Sequence, residues 1–135
     1  MSTRTFAMIF GIVFLAVGIA GFVPQLLQDP QGGEMAADDG HKMLLGMFAV
    51  NMLHNIVHLL FGLWGLAASR SLGGSVMYAR GVAIIYAVLT ICGLVPGLDD
   101  FFGLVPLHGN NVWLHAGLAV VAAYFGWVHR NPAAA

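Results

Sequence analysis

Four long stretches of apolar residues, separated by short polar segments, dominate the chain. They cover about residues 6–27, 43–68, 77–98 and 110–129. Each is close to the roughly 20 residues that cross a hydrocarbon core of about 30 Å as a helix. Lipid cannot satisfy free backbone N–H and C=O groups, and runs without polar alternation exclude a membrane barrel. The pattern therefore predicts an all-α polytopic membrane protein, with a single four-transmembrane-helix bundle over residues 1–135.

Composition supports a lipid environment. The chain is 59% hydrophobic and only 8% charged, whereas a soluble domain is roughly one-quarter charged. The net charge of -1 gives no indication of a nucleic-acid or acidic partner, and we expect no nucleic acid among the partners. We therefore expect the lipid bilayer to be its main partner, with other membrane subunits or a second copy of the chain as protein partners.

Charge is distributed unequally between the two sides of the predicted bundle. All six acidic residues lie in the loops after the first and third spans. The arginines lie before span 1, between spans 2 and 3 or in the first residues of span 3, and after span 4. Basic loops face the cytoplasm in most membrane proteins, so this distribution predicts an inner (plasma) membrane protein with cytoplasmic N- and C-termini. The arginines concerned are Arg4, Arg70, Arg80 and Arg130.

A weak internal repeat relates the two halves of the chain. Residues 21–26 (GFVPQL) resemble residues 93–98 (GLVPGL), and both segments end an outward-running span. Asn51 and Asn111 also precede a terminal arginine by the same number of residues. The repeat favours two tandem helical hairpins related by an axis along the membrane normal.

Short polar residues before two of the spans predict helix caps, because their side chains accept hydrogen bonds from the first free N–H groups. Asp38 or Asp39 is the predicted cap of the second helix. Residues 109–111 (GNN) are the predicted cap of the fourth.

Polar side chains inside the spans are the only candidates for chemistry. In the second span, two asparagines and two histidines recur at helical spacing, which places them on one face. Such a face costs free energy against lipid, so it should point into the bundle. The fourth span adds an asparagine and a histidine. The predicted polar cluster comprises Asn51, His54, Asn55, His58, Asn111 and His115.

Depth indicates which of these side chains meet. Counted back from Arg70 and Arg130, His54 and His115 lie at nearly the same level, and His58 lies about one turn deeper. A contact between His54 and His115, on different helices, is therefore expected.

Three interpretations of the cluster are open at this stage. It could be structural, since Asn and His side chains hydrogen-bond between membrane helices while glycines allow close approach. His54, His58 and His115 could instead hold a transition metal, haem or chlorophyll, because imidazole is a common ligand of all three. A third interpretation is a proton or small-solute pathway through the histidines and Tyr86.

No catalytic motif is present in the sequence. It contains no P-loop, no dinucleotide-binding glycine motif and no Ser, His and acid arrangement. We therefore predict no catalytic residues and expect a non-enzymatic scaffold or accessory subunit of a larger membrane complex. Binding of haem, chlorophyll or a metal is the first alternative, and a proton or small-solute pathway is the second.

The motifs of spans 2 and 4 resemble those of a known family. Residues 53–67 (LHNIVHLLFGLWGLA), 86–89 (YAVL) and 110–115 (NNVWLH) look like segments of a bacterial family of small four-helix membrane proteins of unknown function. The resemblance extends over essentially the whole chain. It implies the four-span topology and the three intramembrane histidines, and it supplies no activity.

Overall fold

Four α-helices carry the fold in the part of the chain that the computed structural model describes, residues 1–28, 42–44, 48–98, 107 and 110–131. Three are long and apolar enough to cross a membrane, counting the fourth with its π-helical end. The second has 17 residues and is shorter. The helices are α1 (Thr3–Ala20), α2 (Met52–Ala68), α3 (Leu72–Leu94) and α4 (Asn110–Ala123), which continues as a π-helix over Tyr124–Val128.

The second helix begins later than the sequence predicted. The apolar run from residue 43 was expected to be helical throughout, but α2 starts only at Met52. Asn51 has an extended backbone, and its side chain accepts a hydrogen bond from the His54 N–H at 2.8 Å, so Asn51 is the N-cap of the helix. The predicted cap residues Asp38 and Asp39 lie outside the described residues, as does Gly109.

A small antiparallel sheet forms where the sequence predicted the first part of the second helix. Leu27 pairs with Leu44, which in turn pairs with Phe48. A short 3₁₀-helix that begins at Pro24 precedes the sheet, since proline disfavours a continuous helix. Strand pairing satisfies backbone groups as a helix would, so this segment can be apolar without being helical. The strands are β1 (Leu27–Gln28), β2 (Lys42–Leu44) and β3 (Phe48–Val50).

The third helix begins earlier than predicted, at Leu72 rather than near residue 77. The Ser71 side chain accepts a hydrogen bond from the Gly74 N–H at 3.0 Å and caps the helix. Arg80 therefore lies within α3 and not in a loop. Its Nε donates to the Gly126 carbonyl at 2.8 Å, and its guanidinium lies 5.5 Å from the Trp127 ring centroid.

The helices pack chiefly as two pairs, α1 with α2 and α3 with α4. Glycines bring the backbones of the first pair together. A Cβ on Gly11 would lie 2.8 Å from the Leu66 nitrogen, and one on Gly62 would lie 2.8 Å from the Leu15 nitrogen. Real side chains essentially never come so close, so this contact requires glycine at both positions.

The buried faces of α1 and α3 correspond to each other residue by residue. Five buried residues of α1 each match a buried residue of α3 at a constant offset in sequence. This correspondence supports the relation between the two halves that the sequence repeat indicated. The matched pairs are Thr3 with Ser75, Phe6 with Tyr78, Ala7 with Ala79, Gly11 with Ala83, and Phe14 with Tyr86.

Polar contacts gather the ends of three helices at one end of the bundle. The Arg4 Nε donates to the Ser69 carbonyl, just after α2, at 2.9 Å. The Thr3 N–H donates to the Asn131 side chain, which donates back to the Thr3 hydroxyl, both at 2.9 Å. Since Arg70 and Arg130 adjoin these contacts in sequence, this end carries the arginines. The acidic loops, residues 29–40 and 99–100, lie outside the described residues.

Candidate functional site: a buried histidine cluster

The three histidines meet at the end of the bundle opposite the arginines. The His54 and His58 ring centroids lie 4.2 Å apart on adjacent turns of α2, and the His54 and His115 centroids lie 6.3 Å apart. Exposed fractions are 6% for His54, 2% for His58 and 1% for His115. The helices thus bring together the histidine rings that the depth count placed near one another.

Two aromatic rings from the other helices complete the histidine cluster. The Tyr86 ring of α3 lies 5.1 Å from the His115 ring, and the Phe14 ring of α1 lies 5.4 Å from the His58 ring. Phe14 and Tyr86 stack on each other at 5.7 Å. Every helix therefore contributes to the site, and the pair that stacks is one of the pairs related by the internal repeat.

Asn55 joins the first two helices beside the histidines. Its Nδ2 donates to the Gly21 carbonyl at 2.8 Å, and the side chain is 3% exposed. A Cβ at position 21 would collide with the Asn55 carboxamide. Glycine at position 21 is therefore part of the same contact, because it leaves the space that the amide occupies.

The two remaining asparagines of the predicted cluster differ in environment. Asn51 is half-buried and is the N-cap of α2, one residue before the first residue of the helix. Of the four residues predicted on one helical face, His54, Asn55 and His58 lie within α2. Asn111 is fully buried in the first turn of α4, one turn before His115.

Most of the buried imidazole nitrogens have no hydrogen-bond partner among the described residues. This holds for both ring nitrogens of His54 and of His115, and for Nδ1 of His58. A buried polar atom without a partner costs about 1–3 kcal/mol. In the described part of the cluster, the α2 side chain that hydrogen-bonds to the end of α1 is Asn55, and not one of the histidines.

A metal site with three protein ligands is not formed in the described part of the chain. No three His, Cys, Asp or Glu side chains there converge closely enough to hold one ion, although His54 and His58 have the sequence spacing that often chelates zinc. The three histidines, as they are arranged, therefore do not form a complete set of metal ligands. One of their rings would have to rotate before all three could bind the same ion.

A tetrapyrrole also requires rearrangement of the cluster. Haem or chlorophyll needs a broad, flat slot beside its axial imidazole. Phe14 and Tyr86 already pack against His58 and His115, so the macrocycle could enter only if these rings moved.

Sequence reasoning identified the histidines and Tyr86 but not their closest neighbours. Phe14 looked like one apolar residue among many, and its equivalence to Tyr86 was the only signal. Gly21 was noted for the repeat and not for contact with Asn55. Leu107, which precedes α4, was also not singled out: it is 1% exposed, and its carbonyl lies against Gly93 of α3.

Comparison with known proteins adds a family and no activity. No curated protein and no solved structure matches the chain. A family model matches residues 4–128, which include all three histidines and nearly all of the four helices. The chain therefore belongs to the family described as a domain of unknown function (DUF4383).

Proposed function

We propose that this chain is an integral membrane protein whose four helices all cross the bilayer. The distribution of side chains carries the proposal. In α2 the polar Asn55 and His58 are 3% and 2% exposed, whereas Leu60 and Leu63 are 60% and 58% exposed. An arrangement with polar groups inside and large apolar groups outside fits lipid and not water. With 17 residues, α2 is at the lower limit of about 17–25 for a span.

The orientation follows from the arginine end. The contacts of Arg4 with Ser69 and of Arg80 with Gly126 support one basic end. By the positive-inside rule this end lies in the cytoplasm of a bacterial inner membrane. The histidine cluster then lies in the outer half of the membrane.

We further propose that the histidine cluster binds a small neutral ligand with hydrogen-bonding groups. Five buried imidazole nitrogens of the cluster that have no partner among the described residues are the observation that carries this proposal. Interhelical attachment alone would pair these atoms across helices, as Asn55 is paired with Gly21. A neutral molecule fits better than a metal ion because no three donors converge within the described part of the chain. A ligand that accepts and donates hydrogen bonds also satisfies imidazoles without charging the membrane interior.

The test is to identify any small molecule or metal that copurifies with the protein. Wild type and the single variants His54→Ala, His58→Ala and His115→Ala would be purified in mild detergent. Their extracts would be compared by mass spectrometry, elemental analysis and absorption spectroscopy. We expect one small organic molecule at near-stoichiometric amounts in wild type and at much lower amounts in each variant.

His129→Ala is the matched control, because His129 lies at the arginine end beyond the helices. It should retain the molecule. A stoichiometric metal or a haem or chlorophyll spectrum would overturn the neutral-ligand assignment in favour of those groups. Absence of any enriched component from wild type would overturn ligand binding altogether.

A scaffold or accessory subunit is the second candidate, and a groove on the outer surface favours it. The groove lies between α3 and α4, has a volume of about 340 Å³ and is lined by four alanines together with Ile84, Val120 and Trp127. Small residues let another membrane helix approach closely. Replacing Ala87 and Ala119 with Trp should then release a partner subunit during mild purification, whereas Gly117→Trp, on the same helix but in open space, should not.

A further inference from the structure

A cavity separate from the groove between α3 and α4 adjoins the histidine cluster. It lies between α1 and α4. Its volume is about 110 Å³. His58 is its only polar lining residue among those described, and the other lining side chains are apolar or aromatic. Ile9 and Val13, on its rim, are 43% and 48% exposed. The cavity therefore opens sideways, toward the medium that surrounds the helices.

His58 forms a wall common to the cavity and the cluster. Its ring packs against His54 on one side and Phe14 on the other. The side chain is 2% exposed, and its Nδ1 has no hydrogen-bond partner in the described part of the chain. An apolar pocket with one buried, unpaired polar atom is the usual form of a site that orients a ligand by a single hydrogen bond.

Size and wall chemistry restrict the occupant. A cavity of about 150 Å³ accommodates benzene, and one water needs only about 10–15 Å³. At about 110 Å³ this cavity is smaller than the one that accommodates benzene but much larger than one water needs, and because it opens sideways it suits part of a single ring whose remainder stays in lipid. Phe10 and Phe14 line it, and aromatic walls favour a planar ring by offset or edge contacts.

We propose that this cavity admits, from the lipid phase, a planar ring that carries a carbonyl or hydroxyl oxygen, such as the head group of a membrane quinone, with His58 as its hydrogen-bond partner. The proposal rests on the proposed function and names the ligand class and its route. An apolar tail on the ring would remain in lipid between α1 and α4. The imidazole Nδ1 donates to a carbonyl in one tautomer and accepts from a hydroxyl in the other.

Saturable binding of tritiated decylubiquinone, a benzoquinone with a decyl tail, tests the proposal. Protein in nanodiscs would be measured by scintillation proximity, with empty nanodiscs as background. We expect wild type to bind the probe and Val13→Trp, which fills the cavity, to lose binding. His58→Phe keeps an aromatic ring but removes the hydrogen bond, and we expect about a tenfold weaker affinity.

Ile12→Trp is the matched control, since Ile12 neighbours Val13 on α1 but is 54% exposed and does not line the cavity. It should bind as wild type does. Unlabelled decylubiquinone should displace the probe, and decylbenzene, which lacks the oxygens, should displace it only at about tenfold higher concentration.

Two results would overturn the proposal. Unchanged binding by Val13→Trp would show that the probe does not enter this cavity, and no saturable binding by wild type would exclude the quinone class. Neither result removes the proposed function, which fails if wild type carries no small neutral molecule that its histidine variants lack. Monodisperse elution of each variant would establish that it folds.

Discussion

The side-chain amide of Asn55, in the first turn of α2, donates to the carbonyl of Gly21, just past the end of α1, at 2.8 Å. The bond spans the helical pair that packs through Gly11 and Gly62. It therefore joins the ends of the two helices that lie opposite the arginines, near the histidines. It also satisfies a carbonyl at the helix C-terminus that has no partner within the helix.

Gly21→Ala should destabilise the bundle because the new methyl group would occupy the space of the Asn55 amide. We expect a loss of about 1–3 kcal/mol, since the displaced amide and carbonyl would both be left without their bond. The measurement is the unfolding free energy of detergent-purified protein. Gly117→Ala is the control. Position 117 has open space, so that change should be neutral or slightly stabilising, and equal losses in both variants would contradict the account.

Asn51 gives a separate prediction about the start of α2. Asn51→Ala should cost about 1 kcal/mol of stability because the His54 N–H loses its cap. Asn51→Ser should restore most of this loss, since serine caps nearly as well. Thermal unfolding of the two variants is the measurement. If Ser were no better than Ala, the side chain would not be acting as a cap.

Much of the architecture follows from hydrophobicity alone, and the exceptions have physical causes. Helices α1, α3 and α4 each coincide with most of one apolar run, although α1 and α3 begin before it, because a long run without polar alternation has few other folds. The predicted start of α2 was wrong because the pattern of a short apolar segment is compatible with a strand as well as with a helix. Its pairing partner, Leu27, lies far away in sequence, so local pattern could not reveal it.

The sequence was enough to predict which polar residues of α2 are buried together, but not which residues they contact. Helical spacing was enough to place His54, Asn55 and His58 on one buried face. The partners Gly21 and Phe14 depend on how α1 is rotated against α2, which periodicity does not determine. The unpaired state of the imidazole nitrogens depends on the packing of all four helices.

Cysteine labelling tests the proposal that the arginine end of the bundle faces the cytoplasm. In a Cys92→Ser background, Gln25→Cys at the sheet end should react with a membrane-impermeant maleimide in intact cells. Gly73→Cys, in the first turn of α3, should react only after permeabilisation. Both positions are exposed, so accessibility in the fold does not separate them. Labelling of Gly73→Cys in intact cells would reverse the proposed orientation.

The central claim is that His54 and His115, whose rings lie 6.3 Å apart on different helices, belong to one site. A double-mutant cycle with alanine at each position tests it most directly, with retention of the copurifying ligand as the readout and His129→Ala as control. Residues that share a site are strongly non-additive. We predict that each single change removes most of the ligand and that the double change adds little. Partial losses that add fully, in variants that remain folded, would contradict the account because the two histidines would then act independently.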